Sequence, residues 1–291
     1  MRMKRKQLAP YLYIAPAFIY LFVLWVFPFL YSLILSFQKW ELASLDTQRR
    51  FVGFKNYIEI VKDPEFWNGI NRTLVYVCSA VGLEFVIGLG IALLICKQLK
   101  GMGLFRRFIL IPFIIAPAVV GLMWMWMYNP ELGIFNHFIR TLGIDKQGFI
   151  WTGDPSIAMF SLVLADIWQW TPFVILLFVA GIVSLPSDPF DAARIDGASR
   201  WQIFKYITLP MLKPVMMVIL LIRTMTAFKF IDKIFILTHG GPASTTEVLG
   251  FYIYRVSFMH FRMGYGAALS YVMFIIVIAL CLIIIRFLRV K

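Results

Sequence analysis

DAARIDGASRWQIFKYITLPMLKP, residues 191–214, is a polar island between two long apolar runs, and the way it is read decides the fold. It carries Asp191, Arg194, Asp196, Arg200, Lys205 and Lys213 in a chain of 291 residues that is 61% hydrophobic and only 15% charged. Soluble domains run at about a quarter charged. With a mean hydropathy of +0.81 this is a membrane protein, and the island is a connection between two spans.

Its local signals are strong. Asp188 is placed to cap a helix whose first residue is Pro189, since proline at the first helical position forfeits only an amide that lacks a partner anyway. That helix runs to about Asp196. Gly197 then lets the chain turn, and Ser199 caps a second helix carrying Trp201, Ile203, Phe204 and Ile207 until Pro210 interrupts it. One reading is an amphipathic connector whose Trp201 and Phe204 rest among lipid headgroups. The small residues of DAARIDGA favour the other: they leave backbone open to close approach, which a protein partner needs and lipid does not.

Working outward, six segments are long and apolar enough to cross a bilayer as helices of about 20 residues: near 11–36, 73–96, 106–128, 157–183, 212–236 and 265–288. The first follows MRMKRK, but its apolar run is much longer than a signal-peptide core and no small-x-small cleavage site follows it, so it is expected to stay as a span. Residues 1–10 form a short N-terminal segment, and 184–211 is the loop that holds the island. Lys and Arg concentrate in alternate connections (Arg2, Lys4, Arg5 and Lys6; Lys97, Lys100, Arg106 and Arg107; Arg194, Arg200, Lys205 and Lys213; Arg286, Arg289 and Lys291), whereas the other connections balance bases with acids. The positive-inside rule therefore puts both termini and the 184–211 loop in the cytoplasm. In the longest outer loop, FVGFKNYIEIVKDPEFW with its Asp63-Pro64 step predicts a short interfacial helix leading into the second span.

Catalysis and nucleic-acid binding find no support. The net charge of +13 is spread along the flanks of apolar runs and forms no patch. Cys78, Cys96 and Cys281 lie inside apolar segments without paired spacing, and His137, His239 and His260 are far apart, so a metal site is not expected.

At the island the residues carry a resemblance. Asp191, Ala192, Ala193, Asp196, Gly197, Ala198 and Pro210 resemble the EAA motif of bacterial ATP-binding-cassette importer permeases, in which an EAA triplet, an Asp-Gly-Ala and a downstream proline form the helix that couples to the ATPase. Asp191 stands where the family has glutamate, keeping the charge and losing one methylene. The stretches YIAPAFIYLFVLWVFPFLYSLILSF, FVGFKNYIEIVKDPEFWNGINRTLVYV, IPFIIAPAVVGLMWMWMYNPELGIFN and FKFIDKIFILTHGGPASTTEVLGFYIYRVSF are similar, in that order, to the carbohydrate-type permeases related to the larger maltose-transport subunit. The resemblance implies an all-α membrane protein of six transmembrane helices with the type I (MetI-like) permease fold. It also implies the partners: a second permease in a heterodimer, two ATP-binding subunits, an extracytoplasmic solute-binding protein, and surrounding lipid in a bacterial cytoplasmic membrane. With no GxxxxGK[ST] in the chain, ATP is expected on separate subunits and no cofactor on this one.

Several polar residues fall within the apolar runs. Glu84 and Arg223 lie near the middle of the second and fifth spans, where an unpaired charge is costly. Either they line the translocation path or they tie two helices together. Phe228, Lys229 and Asp232 combine an aromatic face with polar groups, the pairing that binds sugars. By resemblance this part of the fifth span borders the substrate site. Lys233 is read as snorkelling to the outer interface. Asp166, Trp168, Gln169 and Trp170 are read as the outer end of the fourth span with an interfacial tryptophan belt, and MWMWMY (123–128) has the same ambiguity. Gly264, Gly266, Ala267, Ala268 and Ser270 suit close helix packing.

Two function classes follow. The leading one is the membrane subunit of an ATP-driven carbohydrate importer. The alternative is a secondary transporter or channel coupled to an ion gradient, which calls for mid-membrane acids, discontinuous helices and internal repeats. Of these features the sequence offers Glu84.

Overall fold

The computed structural model describes residues 5–42, 48–96, 108–144 and 148–288, with the side chains of 5–12 left aside. Several bases used for orientation (Arg2, Lys4, Lys97, Lys100, Arg106, Arg107, Arg289 and Lys291) lie outside the described residues. Helices are α1 (Arg5–Leu21), α2 (Phe27–Ser36), α3 (Lys55–Lys62), α4 (Pro64–Ile95), α5 (Ile111–Ile114), α6 (Pro117–Met127), α7 (Ile134–Thr141), α8 (Ala158–Val183), α9 (Asp188–Ile195), α10 (Arg200–Met211), α11 (Lys213–Phe228), α12 (Asp232–Leu237), α13 (Leu249–Tyr254) and α14 (Met263–Leu288). One small antiparallel ribbon pairs Gln38 with Phe51 and Lys39 with Arg50.

Among the described residues, four continuous helices are long and apolar enough to cross a membrane: Tyr13–Ser36, α4, α8 and α14. They coincide with the first, second, fourth and sixth expected spans, although α4 starts at Pro64, nine residues before the expected 73. Asp63, held extended as the residue before a proline, ends α3 and starts α4. The short helix expected in the outer loop is therefore α3.

The third and fifth expected spans are interrupted, and the cause is local. Ala116 precedes Pro117 and is extended, with ψ of 137°, which separates α5 from α6. The carbonyl of Ile115, released at this break, accepts from Gln169 Nε2 at 2.9 Å. Around Leu212, α10 and α11 meet at 61° between Pro210 and Pro214. Farther on, α11 stops at Phe228 and α12 begins at Asp232, so the expected span 212–236 is broken at 229–231.

The chain forms two compact units. One comprises the described residues up to Pro64 with Ile253–Ile275, the other Glu65–Tyr252 with the rest of α14. In the first, Asn56 Nδ2 donates to the carbonyls of Ser36 and Gln38 at 2.8 and 3.0 Å and Arg262 pairs with Glu59 at 2.6 Å, which ties α3 to the ribbon and to the start of α14. Gly266 packs directly against Ser257, as its small size predicts. In the second unit, Ala92, Ile95, Val174, Ile175, Phe178, Leu212, Met216 and Ile219 form the apolar core that joins α4, α8 and α11. Gly88 sets the spacing of α4 and α8: a Cβ there would lie 2.6 Å from Val174 Cγ1, so any larger residue forces the helices apart.

Candidate functional site: a buried charge network beside a broken helix

Two regions of the second unit concentrate the chemistry. The first is a set of four charges contributed by four helices. Arg223 on α11 pairs with Glu84 on α4 through two parallel bonds, Nε to Oε2 at 2.5 Å and Nη2 to Oε1 at 2.8 Å. The same Nη2 donates to Asp166 Oδ2 on α8 at 2.8 Å, and Nη1 donates to Thr226 Oγ1 at 2.9 Å. The other oxygen of Asp166 accepts from Lys233 Nζ on α12 at 2.6 Å. All four charged side chains are 0–1% exposed. Trp170 lies over the Arg223 guanidinium, 4.4 Å from it to the ring centre, and Tyr76 stacks on Phe230 at 4.4 Å.

Two acids and two bases sum to zero charge, and every pair is hydrogen-bonded. That is the condition under which charges persist away from water. A guanidinium suits the centre because its planar fork serves two carboxylates and a hydroxyl at once, where an ammonium offers a single point.

Of the two readings of Glu84 and Arg223, the structure contains the ion pair. The expectation that Lys233 snorkels is wrong. It assumed an unbroken helix running to the outer surface, whereas the helix is interrupted at 229–231 and Lys233, on α12, is buried and bonded to Asp166. Asp166 is likewise no member of an interfacial belt, and Trp170 is engaged with Arg223. Trp124 and Tyr128 of MWMWMY are buried, with the Tyr128 hydroxyl donating to the Ser161 carbonyl at 2.8 Å, while Trp126 faces outward.

Among the five residues assigned to the path, Glu84 and Arg223 are bonded to each other, Phe228 is buried, and Lys229 and Asp232 are exposed, the first opening the break and the second just after it. Sequence reasoning missed Asp166 and Lys233 as a pair. The available signal was the further charges Asp166, Lys229, Asp232 and Lys233, in or beside apolar runs that already held Glu84 and Arg223.

The second region is α9 with the turn after it. Asp188–Ile195 is helical, one residue longer at its start than expected, with Ser187 before it making no side-chain cap. Gly197 has φ of +75°, the left-handed conformation that favours glycine. Ser199 closes a reciprocal cap with Gln202: Gln202 N donates to Ser199 Oγ at 3.3 Å, and Ser199 N donates to Gln202 Oε1 at 2.7 Å. Asp191, Ala192, Asp196 and Gly197 are exposed, Ala193 and Ala198 half-buried, and Ile195 is 86% exposed. Among the described residues, a Cβ added to Gly197 would meet no atom within 4 Å. Pro210 lies in α10 just before the 61° bend.

The matches to known proteins span the residues of both regions. Residues 73–290 match the model of a family described as binding-protein-dependent transport system inner membrane component. The chain is 38% identical over 253 residues to the probable ABC transporter permease protein y4oQ of Sinorhizobium fredii, covering 87% of this chain and 81% of that one. It is 37% identical over 242 residues to the trehalose/maltose transport system permease protein MalF of Thermococcus litoralis, covering 82% and 80%. Its backbone matches a chain of a bacterial ABC transporter involved in import of the acidic polysaccharide alginate, with a TM-score of 0.84, 20% identity, and 98% and 96% of the two chains covered. At that identity the likeness is one of fold.

Proposed function

The chain belongs to the family of binding-protein-dependent transport system inner membrane components, and from that premise we propose that it is the permease subunit of an ATP-driven importer for a sugar or related carbohydrate. Its fold is that of the MetI-like importer permeases. In this reading both termini are cytoplasmic and the chain crosses the membrane six times, the third and fifth crossings being the interrupted ones. It pairs with a second, distinct permease, receives substrate from an extracytoplasmic binding protein, sits in a bacterial cytoplasmic membrane, and binds neither ATP nor any other cofactor itself.

Energy enters at α9. The observation that carries this is an exposed, apolar-tipped helix held rigidly at its end by a left-handed glycine and a closed capping box. A helix that presents Ala192, Ile195 and the backbone of Asp196–Gly197 to the outside, with no described atom within 4 Å of a Cβ at Gly197, suits a surface gripped by a partner ATPase. Closure of two ATPase subunits then reaches the spans as a rigid movement through the bend between α10 and α11.

Substrate meets the chain at the break. Lys229 and Asp232 offer a cation and an anion for hydroxyl groups where the helix is interrupted, and the trehalose/maltose system among the relatives supports a carbohydrate. Broken helices and mid-span acids are also what an ion-coupled carrier would use. Here Glu84 and Asp166 are each bonded to cations, which leaves neither free to take up an ion.

The test is to purify a tagged copy together with the proteins encoded beside it and to screen the accompanying binding protein against a sugar panel. Co-purification of one other permease and an ATPase, with a carbohydrate bound by the binding protein, is expected. A transport-competent homodimer would remove the heterodimer, and a binding protein that retains only amino acids or ions would remove the carbohydrate.

A further inference from the structure

Helix α12 has only six residues, Asp232–Leu237, too few to fix a direction by internal hydrogen bonds alone. Its apolar side is seated on α6, where the Gly121 position lies against Ile236. Its polar anchor is Lys233. Asp166 takes Lys233 on one oxygen and Arg223 on the other, at 2.6 and 2.8 Å, so a single carboxylate on α8 holds the chain both before and after the break at 229–231.

We propose that Asp166 and Lys233 are positioning residues: their bond sets the direction in which α12 leaves the break, and with it where Lys229 and Asp232 stand. This rests on the reading that those two residues border the substrate path only for its consequence in transport. The geometric claim stands apart from it. Charge balance alone is the competing account of the same bond, and the two separate because the network contains more than one complete pair. Removing Asp166 and Lys233 together leaves Glu84 bonded to Arg223, and removing Glu84 and Lys233 together leaves Asp166 bonded to Arg223. Either double variant is neutral, and both cut the tether to α12.

The experiment uses the assembled importer with Cys78, Cys96 and Cys281 replaced by serine, a single reporter at Lys229→Cys, and a small methanethiosulfonate reagent as the probe. In Asp166→Asn/Lys233→Met, membrane levels should return to near those of the parent while the labelling rate at position 229 shifts by about tenfold, as a displaced segment predicts. A reporter at the exposed Leu132 should label as before, and Lys233→Arg, which keeps the bond, should hold the parental rate at 229. Unchanged labelling at 229 in a well-assembled double variant would overturn the proposal and leave charge balance as the whole role. If that variant does not accumulate, Glu84→Gln/Lys233→Met is read in the same way. Failure of both to accumulate would also overturn it, because each retains one complete pair. Uptake by Lys229→Ala is scored separately: normal uptake with altered labelling would sink the path reading and leave the positioning intact.

Discussion

Two carboxylate–guanidinium pairs in this chain have similar lengths and opposite settings. Arg194 and Asp191 meet at 2.9 Å on α9 with side chains 68% and 58% exposed, while Arg223 and Asp166 meet at 2.8 Å with both 1% exposed. Water screens the first pair and holding two long side chains costs entropy, so it contributes about 0–1 kcal/mol. In the second, each charge has given up its hydration, and loss of one partner strands the other. The exposed pair is therefore free to change partners, and the buried one is not. An importer needs both: a surface that exchanges contacts at each ATP cycle and a core that carries the movement without rearranging.

The largest effect expected from breaking this contrast is at Arg223. Arg223→Gln leaves Glu84 and Asp166 buried with one lysine between them, a loss of about 3–5 kcal/mol. The melting temperature and yield of the detergent-solubilised complex should fall sharply, whereas Arg194→Gln should leave both unchanged. Equal behaviour of the two variants would erase the distinction.

Next comes Gly197→Val. A β-branched residue at φ of +75° costs about 1–2 kcal/mol in backbone strain, and its side chain projects into space the chain leaves open for a partner. Membrane insertion should be normal, with transport abolished and ATPase co-purification weakened or hydrolysis uncoupled from uptake. Normal uptake would make α9 a mere connector.

A smaller loss is expected for Asp191→Ala, which removes one charge-assisted contact without bending the chain. Weaker ATPase retention that is partly restored by Asp191→Glu, the family's usual residue, would sharpen the point, since glutamate reaches farther. The smallest effect should be Lys229→Ala, with assembly intact and uptake reduced or sugar preference shifted. Identical kinetics for every panel sugar would take Lys229 off the path.

These residues also mark what the sequence made legible. In the α9 region the Gly197 turn and the Ser199 cap were legible because they act within a few residues of themselves, whereas the cap expected of Asp188 is absent, the helix starting at that residue. Long apolar runs announced α4, α8 and α14 in the same direct way. The network resisted reading because its bonds join residues 57, 67 and 139 positions apart, and nothing local records which charge meets which. Lys233 shows the failure most clearly. On a straight helix it shares a face with Lys229, four residues earlier, and both would look outward. The interruption at 229–231, which no proline or glycine signals, separates them into one exposed and one buried cation.

The central claim is that ATP hydrolysed elsewhere drives carbohydrate import through the exposed α9 surface. Its most direct test is uptake into proteoliposomes that hold the complete importer, with binding protein outside and ATP inside, and with hydrolysis and sugar entry followed together. The account predicts entry that requires both ATP and the loaded binding protein and that vanishes in Gly197→Val while the protein stays assembled in the membrane. Entry driven by an ion gradient without ATP, or entry undiminished in Gly197→Val, would contradict it.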